Sequence, residues 1–538
     1  MQEWWRDAII YQIYPRSYQD DDGDGLGDLR GITRRLSHVA ELGADCVWLS
    51  PIFQSPQKDM GYDVSDFTAI DPRFGTMEDF EALIARAHDL GLRVITDQVL
   101  SHTSDQHPWF RESRASRDNP KADWYVWADP LPDGSPPTNW HSHFGGPAWE
   151  FDPGRGQYYL HNFLSAQPDL NYHNPDVVEA ILETCKFWLD KGLDGFRLDT
   201  VNYYFHDQKL RSNPPANTRP QVMATDLYGM QQNIYNKTRP ENIGFLEKLR
   251  ALTDQYDDIM MVGEVGEMGG RSIQIMGEYT KGTSRLHMTY SFAMLGPDFS
   301  ADHFRSCVEG FQQGAPDGHP YWSFSNHDVP RHVGRWEEYA VSEDAIARMT
   351  CVMLMCFPGT IGIYQGEELG LTDTELVYEE LTDPPALRFW PNVKGRDGCR
   401  TPMVWEKDAP NAGFSEGTPW LPVKSPQAAK AVDQQQHADS ILSWYKKIIA
   451  FRKDTPALCG TTTRFLDLPE PVLAFHRSAE GQDLTCVFNL SKDAVQLSAP
   501  SGAQLFGPHH ATLSDGVLDL PGNGYAILDA KASLKPVT

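Results

Sequence analysis

Short apolar segments typical of buried strands alternate with helical patterns along most of the chain. Strand patterns at 8–18, 46–51 and 93–99 are separated by helical patterns at 32–42 and 78–90. Strands that alternate with helices in this way form parallel α/β sheets, because each helix carries the chain back to the start of the next strand. The length over which the alternation continues favours a closed (β/α)8 TIM barrel.

Several later strand patterns end on a carboxylate. Arg197 and Asp199 lie two positions apart in an apolar segment, and two other apolar segments end on Glu264 and on Asp328. Residues two apart in a strand face the same side, and a charged pair is costly to bury without a purpose. A structural ion pair would explain Arg197 and Asp199 alone. Three such strand ends predict one site at the carboxyl-terminal rim of the barrel.

Two parts of the chain depart from the alternation. A stretch rich in Pro, Gly, Asp and Trp follows the third strand, and a long excursion at that point is typical of a functional insertion. Near the end of the chain, short alternating strands predict a small antiparallel, sandwich-like β-domain. We therefore predict a barrel of residues 1–102 and 173–457 with rim excursions at 200–242 and 371–430, an inserted domain B at 103–172, and a C-terminal domain at 458–538.

Charge and cysteine content limit the partners of this protein. The formal net charge of -27 argues against binding to nucleic acid or to anionic membranes. The sequence shows no secretory signal pattern and no apolar run of membrane-spanning length. Eight cysteines are scattered without a Cys-x-x-Cys motif, which is typical of a reduced protein. We expect a cytoplasmic monomer or homodimer with no nucleic-acid or membrane partner.

Residues 20–28 form an acidic loop with interleaved glycines. The carboxylates of Asp20, Asp22, Asp24 and Asp28 match the first nine positions of an EF-hand calcium loop. A bidentate Glu is missing at the twelfth position, so a true EF-hand is not expected. An acidic surface turn is the alternative, but the alternation of carboxylates and glycines favours a metal site.

The three carboxylate-bearing segments, with the motif Gln167-Pro168-Asp169-Leu170-Asn171 that closes the insertion, resemble glycoside hydrolase family 13, the α-amylase family. Within it the chain is most similar to the α-glucosidase and oligo-1,6-glucosidase branch, over nearly its whole length. The resemblance implies that Asp199 is the nucleophile and Glu264 the acid/base, while Asp328 binds sugar hydroxyls. Family members retain the anomeric configuration, which implies a separation of about 5–5.5 Å between the Asp199 and Glu264 carboxyl groups.

The resemblance also implies a set of substrate-binding residues. His102 and His327 would hydrogen-bond the sugar in the pocket, and Tyr62 would stack under its ring. Asp59 and Arg400 would pair at the pocket floor and make the enzyme exo-acting. The remaining members of the set are Phe144, Phe163, Gln167, Arg197 and Thr200; packing within domain B is the alternative for the two phenylalanines.

For the acidic loop, the resemblance implies a structural Ca²⁺ or Mg²⁺ and no organic cofactor. The ligands would be Asp20, Asp22, Asp24, the Leu26 carbonyl and Asp28. The family's third-strand motif usually reads Asp-x-x-x-Asn-His, whereas Ser101 precedes His102 in this chain. In α-amylases that Asn binds a different, interdomain calcium ion, so that second site is doubtful here.

The expected activity is that of a retaining α-glucosidase that removes terminal α-1,4-linked glucose from maltose and short oligosaccharides and transfers glucose to alcohol or sugar acceptors. The resemblance implies that Thr200 favours α-1,4 linkages, since similar oligo-1,6-glucosidases typically carry Val after the nucleophile; the alternative is that Thr200 only packs and the rim excursions set the linkage. Alternatives on the same site are an oligo-1,6-glucosidase, a sucrose isomerase or a trehalose synthase. The Arg-Leu-Asp-Arg signature of sucrose isomerases does not follow Asp328. A non-enzymatic interaction protein is the alternative of another class, and the three retained carboxylates argue against it.

Overall fold

A computed structural model describes residues 3–216, 227–267, 269–460, 462–479 and 481–537. Eight parallel strands form one sheet with the hydrogen-bonded order β6-β5-β4-β3-β2-β1-β8-β7. A parallel bridge between Thr289 and Pro320 joins the two ends of the sheet and closes the barrel. The strands are β1 (Ile9–Ile13), β2 (Cys46–Leu49), β3 (Arg93–Gln98), β4 (Gly195–Leu198), β5 (Met260–Val265), β6 (Met288–Ser291), β7 (Tyr321–Trp322) and β8 (Thr360–Tyr364).

A helix follows each strand and packs against the outside of the sheet. The start of α1 is fixed by Asp28, whose side chain accepts a hydrogen bond from the Gly31 N–H, and Thr76 and Asp79 form a capping box on α2. The helices are α1 (Leu29–Leu42), α2 (Met77–Asp89), α3 (Pro175–Asp190), α4 (Asn242–Thr253), α5 (Gly269–Thr280), α6 (Ala301–Gly314), α7 (Glu343–Cys356) and α8 (Ile441–Lys453). This alternation confirms the predicted α/β barrel.

The pleat of each strand divides its side chains between two cores. Trp48, Ile95 and Met260 belong to a cluster that fills the barrel interior, whereas Phe196 and Leu198 of β4 join the larger core between strands and helices. Arg197 therefore points into the barrel, as its spacing from Asp199 predicts. Strand ends consequently present inward-facing polar side chains at one rim.

The chain between β3 and α3 carries a short helix and a three-stranded antiparallel sheet, and residues beyond α8 form two four-stranded antiparallel sheets. The insertion contains Pro108–Ala115, Trp127–Ala128, Trp149–Asp152 and Gln157–Leu160. The first C-terminal sheet contains Thr463–Phe465, Val472–Ala479, Gln482–Asn489 and Tyr525–Leu528; the second contains Thr512–Ser514, Val517–Leu520, Val495–Ser498 and Lys535–Pro536. These elements lie where the sequence predicts domain B and the C-terminal β-domain.

Smaller elements border the rim of the barrel. A hairpin of Phe53–Gln54 and Asp66–Ile70 follows β2, and short helices at His332–Arg335, Pro384–Phe389, Asp397–Arg400 and Ser425–Ala428 precede α7 or α8. Within the described residues, every helix is too short or too polar to cross a lipid bilayer. The rim excursion at 200–242 includes residues 217–226, which lie outside the described ranges.

Candidate active site

Three carboxylates lie at the carboxyl-terminal rim of the barrel. Asp199 directly follows β4, Glu264 is the next-to-last residue of β5, and Asp328 is in the loop after β7. The side chains of Asp199 and Glu264 are buried, with exposures of 8% and 3%, whereas the Asp328 side chain is 19% exposed. The structure thus brings together the three strand ends singled out in the sequence.

One buried guanidinium connects the first two carboxylates. Arg197 Nη1 lies 2.9 Å from Asp199 Oδ1, and Nη2 lies 2.8 Å from Glu264 Oε2. Nη1 also pairs with Asp97 Oδ1 at 2.5 Å, so this single cation faces three acidic groups. Because opposite charge at this range favours the ionised form, Arg197 offsets part of the cost of burying them.

The environment makes Glu264 the better proton carrier of the pair. Burial raises the pKa of Glu264 to about 8; Arg197 opposes the rise and the neighbouring Asp199 adds to it. Burial likewise raises the pKa of Asp199 to about 7 against the pull of Arg197. The group with the higher pKa retains its proton when the other has ionised, so the order fits an ionised Asp199 beside a protonated Glu264.

Asp328 lies among cations. Burial alone would raise its pKa, but the adjacent His327 ring and the guanidinium groups of Arg396 and Arg400 lower it well below its ordinary value. The Asp328 Oδ1 atom lies 3.0 Å from Arg400 Nη2 and 3.2 Å from Arg396 Nη1. Asp328 is therefore an anion suited to accept hydrogen bonds from sugar hydroxyls.

Aromatic and amide side chains surround this rim. The Tyr62 and His327 rings stack with centroids 5.4 Å apart, and the Tyr62 hydroxyl contacts both His327 Nε2 and Asp97 Oδ2. His102 Nε2 lies 2.9 Å from the Tyr62 carbonyl, and the Gln167 amide lies 3.1 Å from Asp59 Oδ2. These predicted substrate-binding residues therefore occupy one continuous cluster.

The predicted pair between Asp59 and Arg400 is wrong. In the described part of the chain Asp59 pairs with Arg396, whose Nη2 lies 2.9 Å from Asp59 Oδ1, whereas Arg400 pairs with Asp328 and donates to the His327 carbonyl. Arg396 and Arg400 are four residues apart, at the start and end of one helical turn, and each lies within 3.2 Å of Asp328 Oδ1. Arg396 is therefore the arginine that connects Asp59 to Asp328.

Phe144 and Phe163 connect domain B to the rim. Their rings are 5.8 Å apart, Arg396 lies over Phe144 at 5.1 Å, and Phe163 packs 5.3 Å from the His102 ring. Both therefore contact the cluster rather than only the interior of domain B. The short helix Pro384–Phe389 also reaches this loop, where Arg388 donates to the Gly145 carbonyl at 2.9 Å.

Thr200 contacts both catalytic candidates. Its N–H donates to Glu264 Oε2 at 2.9 Å, and its hydroxyl lies 3.2 Å from Asp199 Oδ2. The residue has φ of 39°, a left-handed conformation that is rare for a β-branched side chain. This backbone conformation places the Thr200 N–H against Glu264 and its hydroxyl against Asp199.

Sequence reasoning missed three contributors to the site. Tyr290 of β6 accepts from Arg197 Nη2 at 2.8 Å and lies 3.3 Å from Glu264 Oε1, and Arg396 forms a third ion pair with Asp383 at 2.6 Å. A tyrosine in an apolar strand pattern is indistinguishable from core. Arg396 carried a signal, because it opens the same Arg-Asp-Gly-Cys-Arg motif that ends with Arg400.

The acidic loop only partly gathers its predicted ligands. Asp20, Asp22 and Asp28 each offer one oxygen, and these oxygens lie within 4.8 Å of one another. Asp24 is not in that group; its carboxylate accepts the Leu26 N–H at 2.7 Å. Three converging carboxylates suit a hard divalent cation such as Ca²⁺ or Mg²⁺.

The chain is similar to known carbohydrate-active proteins. Residues 12–460 match the α-amylase catalytic domain model. A probable alpha-glucosidase of Rhizobium meliloti (strain 1021) is 53% identical over 507 residues, covering 93% of this chain and 91% of the relative. An oligo-1,6-glucosidase of Halalkalibacterium halodurans is 36% identical over 540 residues, covering 94% of each. The crystal structure of the alpha-glucosyl transfer enzyme XgtA, 48% identical, has a TM-score of 0.95 over 98% of this chain and 99% of that one.

Proposed function

Because the chain belongs to the α-amylase family and is a glycoside hydrolase of the glucosidase type, we propose that it is a retaining, exo-acting α-glucosidase that releases terminal α-1,4-linked glucose from maltose and short oligosaccharides. The observation that supports exo action is the group of ion pairs around Arg396. Arg396 pairs with Asp59, Asp328 and Asp383 at 2.9, 3.2 and 2.6 Å. A floor tied together by these ion pairs would block the passage of a longer chain.

In the proposed first step, a carboxylate oxygen of Asp199 forms a bond to the anomeric carbon while the bond from that carbon to the leaving oxygen breaks. Glu264 gives its proton to the leaving oxygen. In the second step, ionised Glu264 takes a proton from water, whose oxygen displaces Asp199. An alcohol or a second sugar that occupies the place of water yields a new glucoside, so the same site supports glucosyl transfer.

The mode of cleavage is tested with maltose, maltotriose and soluble starch, followed by chromatography of the products. We expect glucose as the first and main product from the short substrates, slow action on starch, and transfer products at high maltose concentration. Starch viscosity should fall slowly, since single units are removed from chain ends. A rapid viscosity loss would mean internal cleavage and would exclude the closed floor.

The linkage preference is tested with Thr200→Val. We expect the wild type to prefer maltose to isomaltose, and the variant to shift the maltose-to-isomaltose ratio of kcat/KM toward isomaltose by about fivefold or more. Because both substrates use the same nucleophile, a general loss of activity cancels in this ratio. Thr200→Ser is the matched control, since it keeps the hydroxyl. A ratio unmoved by Thr200→Val would exclude a role of Thr200 in linkage, and a wild type that prefers isomaltose would exclude the α-1,4 proposal.

We propose further that the acidic loop binds one structural Ca²⁺ or Mg²⁺ through Asp20, Asp22 and Asp28. Asp28 also caps α1, and Asp20 accepts the Gly25 N–H at 2.8 Å and the Ser415 hydroxyl at 2.5 Å. A cation there would connect the β1–α1 loop to the excursion before α8. Its contribution would be to stability, since within the described part of the chain none of these side chains contacts Asp199, Glu264 or Asp328.

Chelation should lower the melting temperature by a few degrees, on the order expected for loss of a ligand held well above its Kd. Asp22→Asn should reproduce the shift and abolish the chelator effect, because it removes one charged ligand and retains an oxygen for the Asp24 N–H. Asp133→Asn is the matched control, an exposed aspartate in a similar turn of domain B. Equal melting temperatures with and without chelator, together with a metal-free elemental analysis, would remove the site.

A further inference from the structure

Two hydroxyl groups form a hydrogen-bonded chain from the sugar pocket to the nucleophile. The Ser101 Oγ atom lies 2.9 Å from His102 Nδ1 and 3.2 Å from Thr200 Oγ1. Thr200 Oγ1 in turn lies 3.2 Å from Asp199 Oδ2. Ser101 is buried, and it stands where the family motif usually has Asn.

The positions of the protons in this series of hydrogen bonds can be assigned by starting at His102. The Tyr62 carbonyl can only accept, so His102 Nε2, 2.9 Å away, carries a proton. The Gln167 amide nitrogen also lies 3.1 Å from His102 Nε2, but its two protons are directed to Asp59 Oδ2 and to the Tyr62 carbonyl, which leaves the assignment of Nε2 as a donor in place. Burial lowers the pKa of His102 to about 4, so the ring is neutral and Nδ1 has no proton. Ser101 must therefore donate its only proton to Nδ1, and its oxygen is left to accept from Thr200.

The Thr200 hydroxyl then has two acceptors for one proton. Asp199 Oδ2 and Ser101 Oγ are equidistant from Oγ1, at 3.2 Å each. The strained backbone at Thr200, held by its N–H bond to Glu264, places the hydroxyl between them. A carboxylate is the stronger acceptor while Asp199 is charged.

We propose that the Thr200 hydroxyl changes acceptor during the reaction and that Ser101 is the positioning residue that receives it. When an Asp199 oxygen bonds to the anomeric carbon, the carboxylate becomes a neutral ester and a weaker acceptor, whichever oxygen attacks. The Thr200 proton then turns to Ser101, and no covalent bond other than those of the glucosyl transfer forms or breaks. The change of partner offsets the hydrogen bond that is lost and stabilises the glycosyl-enzyme.

This inference rests on the proposed role of Asp199 and is tested on the two half-reactions. The probe is 5-fluoro-α-D-glucosyl fluoride, which permits formation and decay of the trapped ester to be followed by intact mass. In Ser101→Ala we expect the ratio of the formation to the decay rate constant to fall about fivefold. Ser101→Thr, which keeps the hydroxyl, should restore the ratio. Ser104→Ala, which removes a buried hydroxyl that accepts the Gln106 N–H, should leave the ratio unchanged.

A double-mutant cycle with Thr200→Val separates this role from simple support of His102. If Thr200 is the donor, Ser101→Ala has no further effect on the ratio once Thr200→Val is present. Equal effects of Ser101→Ala in the two backgrounds, or an unchanged ratio in Ser101→Ala itself, would overturn the inference. A wild type that turns over maltose but forms no ester on Asp199 would instead overturn the proposed nucleophile, and the inference with it.

Discussion

Asp199→Asn should lower kcat/KM for maltose on the order of 10⁴-fold or more while leaving the fold intact. The amide has the shape of the carboxylate and can still accept from Arg197, but it cannot form the glycosyl ester. The effect should fall on every substrate alike, including aryl glucosides with activated leaving groups, because the missing step does not depend on the leaving group. Steady-state kinetics and intact mass after incubation with the fluoro sugar measure both consequences.

The matched control for this change is Asp190→Asn, an exposed aspartate at the end of the helix that precedes β4. It should keep wild-type activity, and both variants should melt within a few degrees of the wild type. Activity of Asp199→Asn within about a hundredfold of wild type would show that another group attacks the sugar.

Glu264→Gln should slow maltose hydrolysis about 10²- to 10⁴-fold, the range of general acid–base catalysis. Since the pKa of Glu264 is raised to about 8, wild-type kcat/KM should decline as pH rises through about 8, where the acid loses its proton. The variant has no proton to lose there, so this alkaline limb should disappear. On the acidic side, activity should decline as pH falls through about 7, where Asp199 becomes protonated, in both proteins.

Two rescues distinguish Glu264 from a merely structural residue. An aryl leaving group that departs without a proton should recover the first step in Glu264→Gln, and azide, which attacks without a general base, should recover the second. Glu278→Gln, an exposed change on α5, is the control and should respond to neither. Failure of both rescues in a folded Glu264→Gln protein would contradict the acid/base role.

The barrel and its three carboxylates could be predicted from the sequence because the signals are local. Apolar strands, each followed by a helix, predict a parallel barrel, and Asp199, Glu264 and Asp328 lie at or just after the ends of such strands in the sequence. Their common position at the carboxyl-terminal rim follows from that pattern. The separation of the Asp199 and Glu264 carboxyl groups stays a prediction.

What could not be predicted depends on contacts between distant segments. Which of two arginines reaches Asp59 is decided by the path of an irregular excursion, where no periodicity constrains the chain. The approach of Ser101 to Thr200 joins the ends of neighbouring strands whose pairing register sets the distance. The Tyr290 hydroxyl hydrogen-bonds to Arg197 and Glu264, but it lies in a strand whose sequence indicates only that the residue is buried.

The barrel closes through a narrow seam. In the described residues, β6 and the two-residue strand β7 are joined by one parallel bridge, from Thr289 to Pro320, whereas β3, β4, β5 and β6 share continuous ladders. The wall that holds Asp199 and Glu264 is therefore joined by more backbone pairing than the wall that leads to Asp328. The two carboxylates proposed for the covalent chemistry thus lie on continuously paired strands, while Asp328, which follows the seam strand β7, is held by its ion pairs with Arg396 and Arg400.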